Sequence, residues 1–279
     1  MSGFSAEWLA LREPADHRAR NPEVLQALHK TCGSRDQIQV VDLGCGTGSN
    51  LRAVAPLLAG RQLWRLVDND PMLLDAARRC LADWADEARP QEQGLRLEKS
   101  GQVITVTLVQ ADLAAGIEEA LGPAPDLVTA AALFDLVSPE WIERFTTALA
   151  ARNAVLYAAL TYNGQERWDP PHKADDAILS AFHAHQGRDK GFGPSAGPGA
   201  APLLQDALHA RRYRTHMGDS SWHLGSADEA LVRELAAGVV AAVRETDLVP
   251  ETTVAEWFNA RQVGATCVVG HTDALALPA

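Results

Sequence analysis

The stretch VVDLGCGTGSN (residues 40–50) decides how this chain reads. An apolar run carries the acidic Asp42 near its end, and a turn follows with glycine at every second position, Gly44, Gly46 and Gly48. Glycine takes positive φ without a steric penalty and lets a ligand approach the bare backbone. Asp42 sits where that ligand arrives. A loop shaped for pyrophosphate avoids a carboxylate there, because two anions repel, whereas a loop shaped for a cationic ligand gains from it. The spacing G-x-G-x-G also differs from the G-x-G-x-x-G of dinucleotide-binding turns, where a diphosphate rests on the helix N-terminus.

The segment resembles motif I of the class I S-adenosylmethionine-dependent methyltransferases, in which this loop wraps the methionine part of the cofactor. That cofactor carries a sulfonium, an ammonium, a carboxylate and a ribose but no phosphate, which agrees with Asp42. The resemblance implies that Asp42, Gly44, Cys45, Gly46, Thr47 and Gly48 contact S-adenosylmethionine, with S-adenosylhomocysteine as the product. Further motifs of that family follow in order over residues 38–160. In LVDNDPMLLDAARR (residues 66–79), Asp68 ends a strand about twenty residues past the glycines, the separation suited to a carboxylate that grips ribose hydroxyls. A carboxylate accepts two hydrogen bonds from a vicinal diol. Asn69 stands beside it, Asp70 suits the cap of the next helix, and Met72 is placed against adenine. In VTLVQADL (residues 106–113), Asp112 fits the acceptor for the adenine amino group, with the Leu113 backbone nearby. In DLVTAAALFDLVSPEW (residues 126–141), Ala130, Ala131 and Ala132 leave room for ligand, while Phe134 and Asp135 could border the sulfonium and the acceptor. A cation is stabilised by both an aromatic face and a carboxylate.

Outward from these motifs, strands and helices alternate. Residues 8–29 read as two short helices broken at Pro14 and Pro22, with Asn21 as cap and Pro22 at the first helical position. Residues 37–43 form the first strand, 49–58 a helix, 63–67 a second strand, and a helix opens at Asp70 and runs through Cys80, reaching toward Glu87. The alternation in residues 95–110 predicts a hairpin about Ser100-Gly101 whose second arm is the third strand. Residues 126–132 and 154–160 give the fourth and fifth strands, with a helix over 141–149 capped by Ser138. Residues 213–217 read as the sixth strand and 265–270 as the last, with helices over 227–245 and 254–261 between them. This alternation predicts a mainly parallel sheet with helices on both faces. The resemblance sharpens it to an α/β, Rossmann-like, doubly wound sheet of seven strands in the order 3-2-1-4-5-7-6, the last antiparallel.

At 279 residues and 47% apolar, the chain can bury a sizeable core as one unit. Within that unit residues 1–36 form a helical cap, 37–160 the cofactor core, 161–225 a lid-like insertion on the substrate side, and 226–279 the closing helices and strand. The insertion is rich in glycine, proline and ring side chains, with one short helix over 175–185. Phe192 between Gly191 and Gly193 reads as a hinged aromatic flap. With 25 basic against 36 acidic residues, a net charge of −11, the chain lacks the footprint of a nucleic-acid binder. Cys32, Cys45, Cys80 and Cys267 fit no metal or redox spacing. No leader and no apolar run long enough for a bilayer is evident, so the cytoplasm is the expected compartment and no membrane partner is expected.

Methyl transfer is an in-line displacement, so alignment and exclusion of water matter more than any one catalytic group. Acceptor contacts are therefore sought in the variable regions. Trp8, Arg12, His17, Arg18 and Arg20 precede the first strand, and an arginine there could pair with the cofactor carboxylate or an acidic acceptor. Arg18, Phe134, Asp135, Tyr162 and Asn163 are the candidate substrate contacts, and Tyr162, His172 or His223 could act as base. His183 and His185 diverge on a helix, and no set of ligands has metal spacing, so no metal is expected. The acceptor is read as a small molecule. A protein methyltransferase, a non-catalytic cofactor-binding regulator and a nucleotide-dependent oxidoreductase remain open as alternatives. Neither the acceptor atom nor the oligomeric state is legible.

Overall fold

The structure, a computed structural model, describes residues 4–279. Ser5 caps α1 (Ala6–Ala19), and the Asn21 side chain accepts from two backbone N–H groups to start α2 (Pro22–Cys32). The chain enters β1 (Ile38–Leu43), turns through the glycine loop into α3 (Ser49–Val54), and returns as β2 (Arg61–Asp68). Asp70 caps α4 (Pro71–Trp84). A meander of β3 (Glu87–Gln91), β4 (Gly94–Lys99) and β5 (Gln102–Gln110) follows, then α5 (Ile117–Leu121), β6 (Leu127–Ala131) and α6 (Pro139–Ala151). The second half comprises β7 (Val155–Asp169), α7 (Asp175–Gln186), α8 (Ala200–Ala210), β8 (Tyr213–Asp219), β9 (Trp222–Leu224), α9 (Glu229–Arg244), α10 (Glu251–Asn259) and β10 (Thr266–Pro278).

The sheet runs β3-β4-β5-β2-β1-β6-β7-β10-β8, with β9 paired to β10 off that path. From β5 to β8 this is the expected order 3-2-1-4-5-7-6. β10 is antiparallel to both β7 and β8, and β5, β2, β1, β6 and β7 are parallel. The sheet has ten strands rather than seven, because β3, β4 and β9 extend it. Alternation along β1 sets the two layers. Ile38 and Val40 pack with α2, α3 and α4, whereas Val41 and Leu43 pack with α5, α6 and α8. A third apolar cluster joins Trp168, Trp222 and Trp257 to α7 and α9.

Five expectations need correction. Pro14 does not break α1, because it and Ala10, whose carbonyl it leaves without an intrahelical partner, both face solvent. The fourth helix stops at Trp84, and the next residues form β3. The fifth strand continues to Asp169 and the last to Pro278, pairing from Thr266↔Asp169 to Ala276↔Leu156 as a long antiparallel ribbon. Beyond Leu160 only β10 supports β7, so the polar sequence of residues 163–167 is compatible with strand. The Gly-Pro run before Ala200 hides α8, whose Leu204, Ala207 and Leu208 are buried in the same cluster as α6 residues.

Candidate active site

At the carboxyl ends of the parallel strands lies a cavity of about 610 Å³, the place where open α/β sheets bind ligands. The glycine loop forms its floor. Gly44, Gly46 and Gly48 have φ of +64°, +52° and +77°. The Cys45 N–H donates to Val67 O at 3.0 Å, tying the loop to β2. The Gly46 N–H donates to Asp68 Oδ2 at 2.8 Å, while Asp68 Oδ1 accepts from the Asp70 N–H at 3.0 Å. Burial raises the Asp68 carboxyl, against those two hydrogen bonds that pull it down. Each carboxylate oxygen keeps acceptor capacity for hydroxyl donors, and Asp68 is on the cavity wall. The N–H that a diphosphate would need is already given to a carboxylate.

Gly44, Cys45, Gly46, Thr47, Asp68, Asn69, Asp112, Leu113 and Ala132 all line the cavity. Asp42 does not. It is buried under the loop, where Oδ1 accepts from Asn50 Nδ2 and Thr129 Oγ1, both at 2.7 Å, and its partner Asn50 reaches the wall instead. Burial pushes the Asp42 carboxyl up to about 6. Gly48 is also off the wall, as the left-handed N-cap of α3 packed near Leu81. Met72 points to solvent at 70% exposure, and Pro71 and Leu73 line the cavity in its place. The buried stripe of α4 begins at Leu73, which turns Met72 outward.

The far wall holds Leu113, Leu133, Leu136, Gly191 and Phe192. Trp141 Nε1 donates to Leu113 O at 2.7 Å, and the Phe192 ring meets Trp141 edge-on at 5.8 Å. Asp189 Oδ1 accepts from the Gly191 and Gly193 N–H groups, which fixes the loop carrying Phe192.

The third wall is α1, through Leu9, Arg12 and Asp16, continued by Arg20 at its C-cap. The spacing of Leu9, Arg12 and Asp16 puts these three on one helical face. Glu13 takes two hydrogen bonds from Arg52, at 2.8 and 2.5 Å, and His17 Nε2 lies 3.0 Å from Ser49 Oγ, so α1 is fastened to α3. Asp16 accepts from Arg12 Nε at 2.9 Å and Nη2 at 3.1 Å, and from Trp222 Nε1 at 3.0 Å. Arg20 Nη1 donates to Tyr157 Oη at 3.2 Å, and that hydroxyl donates to Asp273 Oδ2 at 3.1 Å. Asp16 escapes a sequence reading, and its signal is the 9-12-16 spacing. An inward face this charged has no apolar stripe to reveal it.

The candidate acceptor contacts are not brought to this cavity. Arg18 sits on the exposed side of α1 and pairs with Asp228 at 2.6 Å. Phe134 turns into the core, edge-on to Trp141 and Phe145. Asp135 is buried behind the wall, its Oδ1 without a hydrogen-bond partner among the described residues, and burial pushes it up to about 6. Tyr162 is placed in the third cluster, its hydroxyl 2.9 Å from His183 Nε2. Asn163 Oδ1 accepts from the Gln165 N–H in the β7 arm. His172 Nδ1 accepts from the Ala174 N–H at the start of α7. His223 is exposed and lines a separate hollow of about 280 Å³. Tyr162, Asn163 and His223 follow the β7–β10 arm away from the parallel edge. Arg12 and Arg20 are the arginines of the cap that reach the cavity.

Among the described residues, no group of three or more His, Cys, Asp or Glu side chains is placed to hold a metal ion. No described helix is long and apolar enough to cross a membrane.

No protein-family model matches the chain, and no curated protein sequence does. Solved structures do. A cyclopropane-fatty-acyl-phospholipid synthase-like protein from Lactobacillus casei ATCC 334 is 15% identical, with 95% of this chain and 91% of that one covered and a TM-score of 0.55. The YcgJ protein from Bacillus subtilis is 12% identical, with 93% and 100% covered and a TM-score of 0.51. A methyltransferase from Thiobacillus denitrificans, solved with S-adenosyl-L-homocysteine, is 16% identical, with 98% of each chain covered and a TM-score of 0.46. At these identities the first two likenesses show the fold, a Rossmann-like α/β sheet.

Proposed function

We propose that the cavity binds S-adenosylmethionine and that the chain transfers its methyl group to a small-molecule acceptor. The observation that carries this reading is the Gly46 N–H donated to Asp68 at 2.8 Å. It converts the glycine loop from an anion cradle into a wall that ends in a carboxylate, suited to a ribose diol beside a cationic centre. Asp112 stands at the exposed rim beside the buried Leu113, in place to accept from an adenine amino group. Pro71 and Leu73 supply the apolar contact assigned from sequence to Met72. Gly44, Cys45, Gly46, Thr47 and Ala132 border the sulfur end, and Asn69 flanks the ribose.

The cofactor, when bound, supplies a methyl carbon already activated by positive sulfur. The chain's share is to align the acceptor and exclude water. α1 and the Phe192 loop lie on the cavity walls and can do both. The enclosure and the acidic balance favour a small acceptor over nucleic acid. The whole chain is read as one methyltransferase unit, and its four unpaired cysteines accord with the cytoplasm.

Titration calorimetry is expected to show micromolar-range S-adenosylhomocysteine binding that Asp68→Ala abolishes, with no binding of NAD. Tight NAD binding or silence toward S-adenosylhomocysteine would overturn the reading. Transfer of a labelled methyl group into a cell extract separates the remaining alternatives. Label in a small product supports the proposal, label in protein makes it a protein methyltransferase, and binding without transfer makes it a regulator.

A further inference from the structure

The cavity is lined unevenly. Charged side chains stand at the ends of β2 and β5, as Asp68 and Asp112, and on the cap helix. The wall built from the β6 end and the loop after α7 carries Ala131, Ala132, Leu133, Leu136, Gly191 and Phe192, all of them apolar. Its main chain is already hydrogen-bonded within the protein. The Ala132 N–H donates to Ala159 O at 2.9 Å, and Leu133 O accepts from the Leu136 N–H at 3.0 Å. Leu136 O accepts from Ser195 Oγ at 3.0 Å, and Val137 O from the Ala196 N–H at 2.7 Å. A polar group pressed against this wall would lose its water and gain little in return. An apolar surface placed there gains by leaving water. The wall also reaches the sulfur end of the assigned cofactor site. Leu133 Cδ1 lies 3.6 Å from the point a Cβ on Gly44 would occupy, and Leu9 Cδ1 2.9 Å from that on Gly46, so two leucines flank the glycine loop. Phe192 is held in place by its edge-on contact with Trp141 at 5.8 Å and by Asp189, which accepts from the Gly191 and Gly193 N–H groups. A second phenyl ring, Phe4, lines the cavity and stays 49% exposed. Exposed apolar surface bordering a cavity is surface that a ligand can cover.

Resting on the cofactor assignment above, we infer that the methyl acceptor is an uncharged aromatic molecule whose ring lies against Leu133, Leu136 and Phe192. Its nucleophilic O–H, S–H or N–H group projects from the ring edge toward the sulfur end of the cavity. Contact between that ring and Phe192 adds to the gain from the apolar area covered. In the transfer the acceptor's lone pair takes the methyl carbon, the carbon–sulfur bonding pair stays on sulfur, and the displaced proton passes to water. The methylated product is then uncharged as well. Phe192 and Leu136 select the acceptor, whereas the glycine loop, Asp68 and Asp112 read the cofactor.

Calorimetry on the full chain saturated with S-adenosylhomocysteine tests this with 2-naphthol and 2-naphthoate, which share a ring system and differ in charge. 2-Naphthol should bind at least about 10-fold more tightly. Phe192→Ala should weaken 2-naphthol by about 10-fold while S-adenosylhomocysteine affinity moves by less than about 3-fold. Leu136→Asn, which sets an amide into the wall with little change in volume, should act in the same direction. Label transferred from S-adenosylmethionine in a cell extract should enter a small product that partitions from neutral water into octanol. Equal or tighter binding of 2-naphthoate, a labelled small product confined to water, or 2-naphthol affinity that neither variant lowers would each overturn the inference. Should Phe192→Ala not fold, Leu136→Asn and the wild-type comparison still decide. A chain that binds S-adenosylhomocysteine but not 2-naphthol loses the acceptor class and keeps the cofactor. Silence toward S-adenosylhomocysteine is a different result, and it removes the cofactor assignment itself.

Discussion

At Gly46 two constraints meet. Its φ is +52°, and a Cβ there would lie 2.9 Å from Leu9 Cδ1, whereas at Gly44, with φ +64°, the nearest atom is Leu133 Cδ1 at 3.6 Å. A side chain in the left-handed region costs about 1–2 kcal/mol. Gly44→Ala should therefore lose about that much in urea denaturation, and Gly46→Ala somewhat more because Leu9 must also move. Adding Leu9→Ala to Gly46→Ala should recover the contact part and leave the backbone part. Equal losses at the two glycines would show that α1 does not rest on the loop. The glycines, Asp68 and Asp112 are legible in the sequence because each sits at a strand end inside one short string. Met72, Arg18 and Phe134 are not, because whether each faces the cavity depends on the rotation of a helix or turn by less than one residue. Tyr162 and His172 are misplaced for another reason. Ring and polar side chains late in the chain look like pocket residues until β10 pairs with β7 and draws them into a separate cluster.

The cap helix is the element on which access depends. α1 buries charge rather than oil: Arg12, Asp16 and Arg20 face inward, and Pro14 faces out. Its attachment to α3 rests on Glu13, whose carboxylate takes both Arg52 bonds, with the Arg52 side chain only 8% exposed. Removing one partner of a largely buried pair leaves an uncompensated charge. Glu13→Gln should cost about 1–3 kcal/mol of local stability, read as faster amide hydrogen exchange in α1 while β1 and β2 stay protected. Cofactor affinity should fall with it, since the walls contributed by Arg12, Asp16 and Arg20 loosen together. Unchanged exchange in α1 would mean that the His17–Ser49 contact alone holds the helix. The order β5-β2-β1-β6-β7-β10-β8 is the one the family resemblance implies, whereas alternation by itself predicts only a mainly parallel sheet. By contrast β3, β9 and α8 escape because their sequences are short, exposed or screened by Gly-Pro runs.

Besides Asp68 on the cavity wall, burial opposes ionisation at three further carboxyls in different layers. Asp42 under the loop and Asp135 behind the β6 end are each pushed up to about 6, and Glu166 in the β7 arm to about 7. His271, buried in the β10 arm, is pushed the other way, down to about 3. An unfolded carboxyl titrates near 4, so between about pH 4 and 6–7 the folded chain holds protons that the unfolded chain has released. The stability these three contribute is complete below about pH 4 and is lost as pH rises through their folded values. His271 contributes stability that is present above about pH 6.5 and lost as pH falls toward 3. Each of these carboxyls acts at up to about 1.4 kcal/mol per pH unit and pulls the denaturant midpoint down as pH rises from about 5 to 7, against the opposite pull of His271 and of His17 and His183, which burial also lowers. Asp135→Asn isolates a single member of the set. Arg12 and Lys190 bear on this carboxyl, and burial still dominates. Relative to the wild type, the asparagine variant should gain about 2–3 kcal/mol between pH 4 and pH 8, with most of the change by pH 6.5. Parallel curves for the two chains would mean that Asp135 stays ionised in the fold, its carboxylate solvated or paired, and that burial at the β6 end has been overcome by its cationic neighbours.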